Sequence, residues 1–332
     1  MSPRYILQIK KVPNEDFTTL EPEFKNICLD TMTDEENHIF YSEILPNTEG
    51  IIATGPVTSE LIAKALKLKV IVVNGAGYDD IDVSAASAVH VPVYNIPDVT
   101  ASATAEIALG LMLSVSRRIT ELNYKLRTDP QHVPDYFRIG INPGHALSGK
   151  NLGIIGVGNI GSKLAKMAAA MDMHIFYTQR KRIPLLKQGT LQYLSFDELL
   201  AVSDIVSINC PLNDSTRDMF DEKAFMRMKT GSILINTARG EIVDQKELVR
   251  FLKSGKLLGA GLDVFPNNDQ VDPELLEMPN VVVTPHIGTN TYETRQEMAA
   301  HMTAIVRAVC NGESEIPGNL VNPESQRASR TE

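Results

Sequence analysis

Leu152-Gly153-Ile154-Ile155-Gly156-Val157-Gly158-Asn159-Ile160-Gly161 decides how this chain reads. An apolar run of strand character feeds directly into a GxGxxG turn. Beyond it, Ile160, Leu164, Met167, Ala168 and Met171 recur at helical spacing, so the turn opens an amphipathic helix. A GxGxxG alone is weak evidence, because glycines collect in any tight turn. The strand before it and the helix after it supply the context a dinucleotide-binding loop requires. In such a loop Gly156 permits the turn, Gly158 lets the backbone approach a pyrophosphate, and Gly161 lets helix pack on strand. The helix start at Asn159 and Ile160 then offers free N–H groups and a partial positive charge to the anion.

The end of the next strand tells which dinucleotide fits. NAD-binding folds place an Asp or Glu there, about 20 residues on, to accept the ribose hydroxyl bonds and repel a 2′-phosphate. Eighteen positions past Gly161 stands the uncharged Gln179, followed by Arg180, Lys181 and Arg182. A guanidinium in that place can hold a phosphate bidentately, and the lysine adds an attractive point charge. The residues therefore favour NADP(H) over NAD(H).

Working outward, short β-branched runs alternate with longer amphipathic ones, the pattern of βα units feeding parallel sheets. Strands are expected at Leu152 to Gly156, His174 to Tyr177, Ile205 to Asn209, Ser232 to Asn236, Leu258 to Leu262 and Val281 to Thr284. Six strands with intervening helices suit a doubly wound dinucleotide-binding domain. An earlier series at Tyr5 to Ile9, Ile51 to Thr54, Val70 to Asn74 and Val91 to Tyr94 reads as a second α/β layer. One long helix from Ala101 to about Arg127, with Thr100 or Ser102 as its cap, is expected to cross between them. The stretch with Pro130, Pro134, Pro143 and Gly144 reads as loop. A last helix from Thr291 to Cys310 is expected to return the chain to the first layer, and the polar tail from Gly312 to be loosely ordered. The expected domains are 1–100 plus 290–332, discontinuous, and 101–289.

At roughly 150 residues per domain, a chain of 332 residues suits two domains. Hydrophobic residues make up 43% and charged residues 22%, the balance of an ordinary soluble protein. The net charge of −9 argues against broad nucleic-acid binding, which needs a basic surface. Cys28, Cys210 and Cys310 lie far apart with no metal-ligand spacing, so buried free thiols and no metal site are expected. The start lacks a secretory apolar run, and greasy stretches such as Ala105 to Val115 are short for a membrane span and contain Glu106. A cytoplasmic protein is expected.

Three later segments complete a recognisable set: Asn236-Thr237-Ala238-Arg239-Gly240-Glu241-Ile242-Val243-Asp244, Gly261-Leu262-Asp263-Val264-Phe265 and Pro285-His286-Ile287-Gly288-Thr289. With Asn74-Gly75-Ala76-Gly77-Tyr78-Asp79-Asp80-Ile81-Asp82 and the glycine loop, in order and over nearly the whole chain, they resemble the D-isomer-specific 2-hydroxyacid dehydrogenases. The resemblance implies two α/β domains, Rossmann-like and flavodoxin-like, with an active-site cleft between them, and commonly a homodimer. It implies that Arg239 clamps the substrate's carboxylate and 2-oxygen, and that His286 is the acid/base for the carbonyl oxygen. It also implies that Ala76 and Gly77 take the carboxylate on backbone N–H groups. Asp263 matches the nicotinamide contact with Thr237, Ala238 and Gly288 beside it, and Thr104, Cys210, Pro211 and Thr216 match cofactor-lining positions. The implied reaction is reduction of a small 2-keto acid, such as glyoxylate or hydroxypyruvate, or the reverse oxidation. The basic run disfavours an NAD-linked oxidation of formate.

One position departs from the family. Where relatives carry a glutamate that pairs with the catalytic histidine, this chain has Asn268. An amide can orient an imidazole, but it supplies no negative charge for the imidazolium. Three accounts remain open: Asn268 orients a less basic His286, Asp269 replaces the charge, or the protein is a cofactor-binding regulator with impaired catalysis.

Overall fold

The computed structural model describes residues 3–184 and 191–325, with the side chain of Asn268 outside the description. The chain divides into two compact units, Met1–Thr100 with Asn290–Glu332, and Ala101–Thr289.

The first stretch alternates β1 (Tyr5–Gln8), β2 (Lys25–Cys28), β3 (Thr48–Ala53), β4 (Val70–Val73) and β5 (Val93–Asn95) with short helices α1 (Asp34–Ile39), α2 (Ser59–Lys64) and α3 (Val83–Ala88). β4 reads Val-Ile-Val-Val and is buried throughout, as a central parallel strand covered on both faces must be. Side-chain oxygens start the helices: Thr33 and Glu36 form a reciprocal capping box, and Thr58 and Asp82 each accept a first-turn N–H.

Next come α4 (Pro97–Ser116), which belongs to the second unit from Ala101 on, α5 (Ile119–Thr128) and α6 (Val133–Tyr136). The expected single helix from Ala101 is two, because Arg118 takes a left-handed conformation, φ 57° and ψ 32°. His145 N–H donates to the Ser116 carbonyl at 2.7 Å, ending α4, and the Arg118 guanidinium donates to Glu121 at 2.7 Å to begin α5. Neither Thr100 nor Ser102 caps α4: proline at the first position starts it earlier, and the Thr100 hydroxyl donates back to the Pro97 carbonyl. α4 is long and apolar enough by length and composition to cross a membrane, so the expectation of too short a stretch does not hold. Its Ala105, Ala108, Leu111, Met112 and Val115 are instead buried in the core of this unit.

The βα series follows as β6 (Asn151–Ile155), α7 (Asn159–Ala169), β7 (His174–Thr178), β8 (Gln192–Tyr193), α8 (Phe196–Val202), β9 (Ile205–Ile208), α9 (Glu222–Arg227), β10 (Ser232–Asn236), α10 (Gln245–Lys253), β11 (Leu257–Leu262), α11 (Pro273–Glu277) and β12 (Val281–Val283). Among the described residues they form one parallel sheet of order β12-β11-β10-β9-β6-β7-β8. The order reverses at β6 and β9, the place where a doubly wound sheet leaves a crevice beyond its strand ends.

The chain then returns through α12 (Tyr292–Asn311) to β13 (Asn319–Leu320). The first unit's sheet has the order β13-β5-β4-β3-β1-β2, flavodoxin-like but for β13, which pairs antiparallel with β5. The described part of the tail is therefore tied down, contrary to the loose ordering expected from its polarity. Asn322 is fully buried, accepts the Val93 N–H at 2.7 Å and donates to the Val91 carbonyl at 3.0 Å. Asn322→Ala would leave those backbone groups unpaired, with an expected loss of about 2–4 kcal/mol of stability, measurable as a lowered urea midpoint at unchanged slope.

Candidate functional site

The loop after β6 uses its three glycines for three different reasons. Gly156 has φ +90°, and a side chain there would press on the backbone of Asn209 and Cys210 at 3.0 Å, beyond the neighbouring strand β9. A Cβ on Gly161 would lie 2.3 Å from the Gly156 carbonyl oxygen, so only glycine lets α7 close onto the loop. Gly158 is different: its φ of −84° suits other residues, and a Cβ would meet nothing within 4 Å. Neither conformation nor internal packing asks for glycine there, whereas close approach by a ligand does. The α7 N-terminus behind it faces the crevice where the strand order reverses, so these residues fit a dinucleotide pyrophosphate.

Gln179 ties this loop to the basic turn. Its Oε1 accepts the Val157 N–H at 3.1 Å, and its Nε2 donates to the Lys181 carbonyl at 2.6 Å. The turn is braced from below: the Ile183 N–H donates to the Tyr177 hydroxyl at 3.1 Å, and the Arg182 guanidinium lies 4.0 Å from the Tyr193 ring centroid. Arg180, Lys181 and Arg182 are all exposed at the end of β7.

Arg239 follows β10 on a turn set by Asn236. That asparagine is buried, accepts the Ala238 N–H at 3.0 Å and donates to the Arg239 carbonyl at 2.8 Å. Gly240 then packs so closely on the Phe265–Pro266 backbone that a Cβ would lie 2.0 Å from Phe265 carbon. The Arg239 turn and the segment leading to Asn268 are thus fitted to each other. Asn268 was expected beside His286; its side chain lies outside the described residues. Glu241 braces the same segment by accepting the Asn267 N–H at 3.1 Å.

Asp263 is buried, and its carboxylate organises the His286 turn. It accepts from the Thr284 hydroxyl at 2.6 Å and from the N–H groups of Ile287 and Gly288, each at 2.9 Å. His286 itself has φ +52°, an unusual conformation for histidine, and its N–H donates to the Asp263 carbonyl at 2.9 Å. The imidazole is exposed. Thr104, expected as a lining residue, stands within 3.4 Å of where a Gly288 side chain would be, so Thr104, Asp263 and Gly288 adjoin. Thr237 is buried and Ala238 half-buried beside Arg239. Cys210 and Pro211 follow β9, and the Thr216 hydroxyl donates to the Pro211 carbonyl at 2.8 Å, closing that loop. Burial pushes the Cys210 thiol up to about 11, and its side chain packs against the core of the second unit.

In the first unit, Ala76 and Gly77 lie on the turn after β4. Asn74 ahead of them donates to both oxygens of Glu15, at 3.0 and 3.1 Å, and Arg295 donates to the same carboxylate at 3.0 Å. Burial raises the Glu15 carboxyl above its usual range while the bonds from Arg295 and Asn74 work against it. Nothing in the local sequence marks Glu15; only the fold brings it to Asn74. Asn236 was readable as part of a motif, but its bracing role was not. No cluster of metal-ligating side chains occurs among the described residues.

Known proteins place this arrangement. The family model described as D-isomer specific 2-hydroxyacid dehydrogenase, NAD binding domain, matches residues 109–288. A glyoxylate reductase of Thermococcus litoralis is 40% identical over 278 residues, 82% of this chain and 82% of that one. The 4-methyl-2-oxopentanoate reductase A of Aspergillus oryzae is 43% identical over 246 residues, 74% of this chain and 73% of that one. The crystal structure of a glyoxylate reductase from Paecilomyes thermophila superposes with a TM-score of 0.84 at 35% identity, covering 98% of this chain and 100% of that one. With a Rossmann unit for a nicotinamide dinucleotide and the motifs for a small 2-keto or 2-hydroxy acid, the chain belongs to the D-isomer-specific 2-hydroxyacid dehydrogenases.

Proposed function

We propose that this protein is a cytoplasmic, homodimeric reductase that uses NADPH to convert small 2-keto acids of the glyoxylate and hydroxypyruvate class into D-2-hydroxy acids. The observation that carries the cofactor choice is the exposed run Arg180-Lys181-Arg182 at the end of β7, where an NAD site needs a carboxylate. The glyoxylate reductases among its relatives support the substrate class. The Aspergillus relative's name makes 4-methyl-2-oxopentanoate the first competitor to test. Exposed apolar side chains on α5 and the segment after it, Tyr124, Phe137 and Ile139 among them, support self-association.

Reduced nicotinamide, when bound, supplies the hydride for C2. Arg239 holds the carboxylate and the 2-oxygen with a planar fork of donors, and the N–H groups of Ala76 and Gly77 take the carboxylate. His286, as imidazolium, gives its proton to the 2-oxygen as charge develops there; in the oxidation it takes the hydroxyl proton back. Asn268 orients the imidazole without a charge to stabilise its protonated form. The second reading, a cofactor-binding regulator, draws its support from the same asparagine. Tight NADPH binding without turnover of glyoxylate, hydroxypyruvate, pyruvate, phenylpyruvate or 4-methyl-2-oxopentanoate would establish it instead.

Initial rates with the two cofactors check the first part of the proposal. NADPH is expected to outperform NADH, and Arg180→Ala to weaken NADPH about 10- to 100-fold, the range of one or two charge-assisted bonds, with little change for NADH. Faster turnover of the unmodified protein with NADH overturns the cofactor choice. The pH–rate profile checks the role of Asn268. A carboxylate beside an imidazolium favours the charged form, so Asn268→Glu is expected to move the alkaline limb of the reduction up by about 1 unit or more. A limb that does not move excludes this account of His286.

A further inference from the structure

The tail strand β13 reaches the turn that carries Ala76 and Gly77 through a pair of amides. Asn319 donates from Nδ2 to Oδ1 of Asn95 at 2.8 Å. Asn95, buried on β5, is thereby oriented with its own Nδ2 toward the Ala76 carbonyl, to which it donates at 2.6 Å. One residue earlier in the turn, the Gly75 carbonyl accepts the Ile96 N–H at 3.0 Å.

These two bonds fix more than two oxygens. In a trans peptide the C=O and the following N–H point in opposite directions. Anchoring the Gly75 carbonyl to Ile96 therefore turns the Ala76 N–H away from the sheet, and anchoring the Ala76 carbonyl to Asn95 does the same for the Gly77 N–H. Neither N–H donates to another described residue, and Gly77 is exposed. Gly75 has φ +131°, a conformation that glycine alone adopts readily, so the turn depends on a residue that is also easily rearranged. Without its external anchors either peptide could rotate and present a carbonyl oxygen where a carboxylate must bind.

We propose that Asn319 and Asn95 form a positioning relay that holds the Ala76–Gly77 peptide with its N–H presented to the substrate carboxylate, so that the C-terminal strand sets affinity for the 2-keto acid. The relay rests on the reading that Ala76 and Gly77 bind that carboxylate. Asn95 and Asn319 act through the backbone and need not touch the substrate.

The test uses the full-length protein with glyoxylate and NADPH, following KM and kcat, NADPH affinity by fluorescence, and the melting temperature. Asn319→Ala lets water donate to Asn95, and a rise in glyoxylate KM of about two- to threefold is expected. Asn319→Asp sets a carboxylate against Asn95 Oδ1, which forces the Asn95 amide to turn over and present oxygen to the Ala76 carbonyl; about a tenfold rise is expected, equivalent to one well-made hydrogen bond. Asn95→Ala should match or exceed it. NADPH affinity should stay near that of the unmodified protein in all three, and melting temperature in the two Asn319 variants; Asn95→Ala, which empties a buried position, is expected to lower melting temperature without lowering NADPH affinity. Gly77→Pro, which deletes the N–H itself, should raise KM at least as far, with Ala76→Pro in its place if that variant does not fold. Unchanged KM in the asparagine variants, with a raised KM in the proline variant, overturns the relay while keeping the carboxylate reading. Unchanged KM in all of them overturns the carboxylate reading as well. A KM rise that follows loss of melting temperature and NADPH affinity in parallel overturns the positioning role in favour of a merely structural one.

Discussion

A buried carboxylate, Asp263, is the interaction around which the second unit's chemistry is arranged. It stands just past β11, and its backbone N–H donates to the carbonyl of Asn236 at the end of β10. Burying a charge is costly unless donors surround it, and here one hydroxyl and two N–H groups do so, all from the turn that carries His286. The same pairing of strand ends sets the Arg239 turn, because Asn236 closes that turn with its own amide. Arginine and histidine are thus held by backbone geometry that two polar side chains determine. A substitution at Asp263 or Asn236 would disturb positions it does not itself occupy.

The parallel sheet supplies the rest of the arrangement. Reversal of strand order at β6 and β9 leaves a crevice beyond the strand ends, and the glycine loop lies along it. From there Gln179 couples the loop to the basic turn, which Tyr177 and Tyr193 hold from the side. Cation–aromatic stacking fixes Arg182 in place without neutralising it. The turn therefore keeps its positive charge in an ordered form.

Much of this was legible in the residues because it is written in local pattern. The glycine loop, the basic run and the Arg239 and His286 segments are contiguous, and the central strand β4 is an unbroken apolar run while β10 holds one between Ser232 and Asn236. What could not be read depends on partners distant in sequence. The edge strands β2 and β8 carry few buried residues, so no apolar pattern announces them. The break at Arg118 has no glycine or proline to mark it; it follows from the capture of the Ser116 carbonyl by the His145 N–H. The polar tail reads as loose until Asn322 and Asn319 are seen against β5. Glu15 meets Asn74 and Arg295 only once the first unit has folded.

On the proposed function, a chain with asparagine in place of the family's glutamate still moves a hydride from NADPH to C2 of a 2-keto acid. The most direct measurement incubates the protein with glyoxylate or hydroxypyruvate and NADPH deuterated at C4 of the nicotinamide, then analyses the hydroxy acid by mass and, for hydroxypyruvate, by chiral separation. One deuterium at C2 of the product, with the D isomer from hydroxypyruvate, is the expected result. Bound NADPH with no labelled product, or a product of the L configuration, would contradict it.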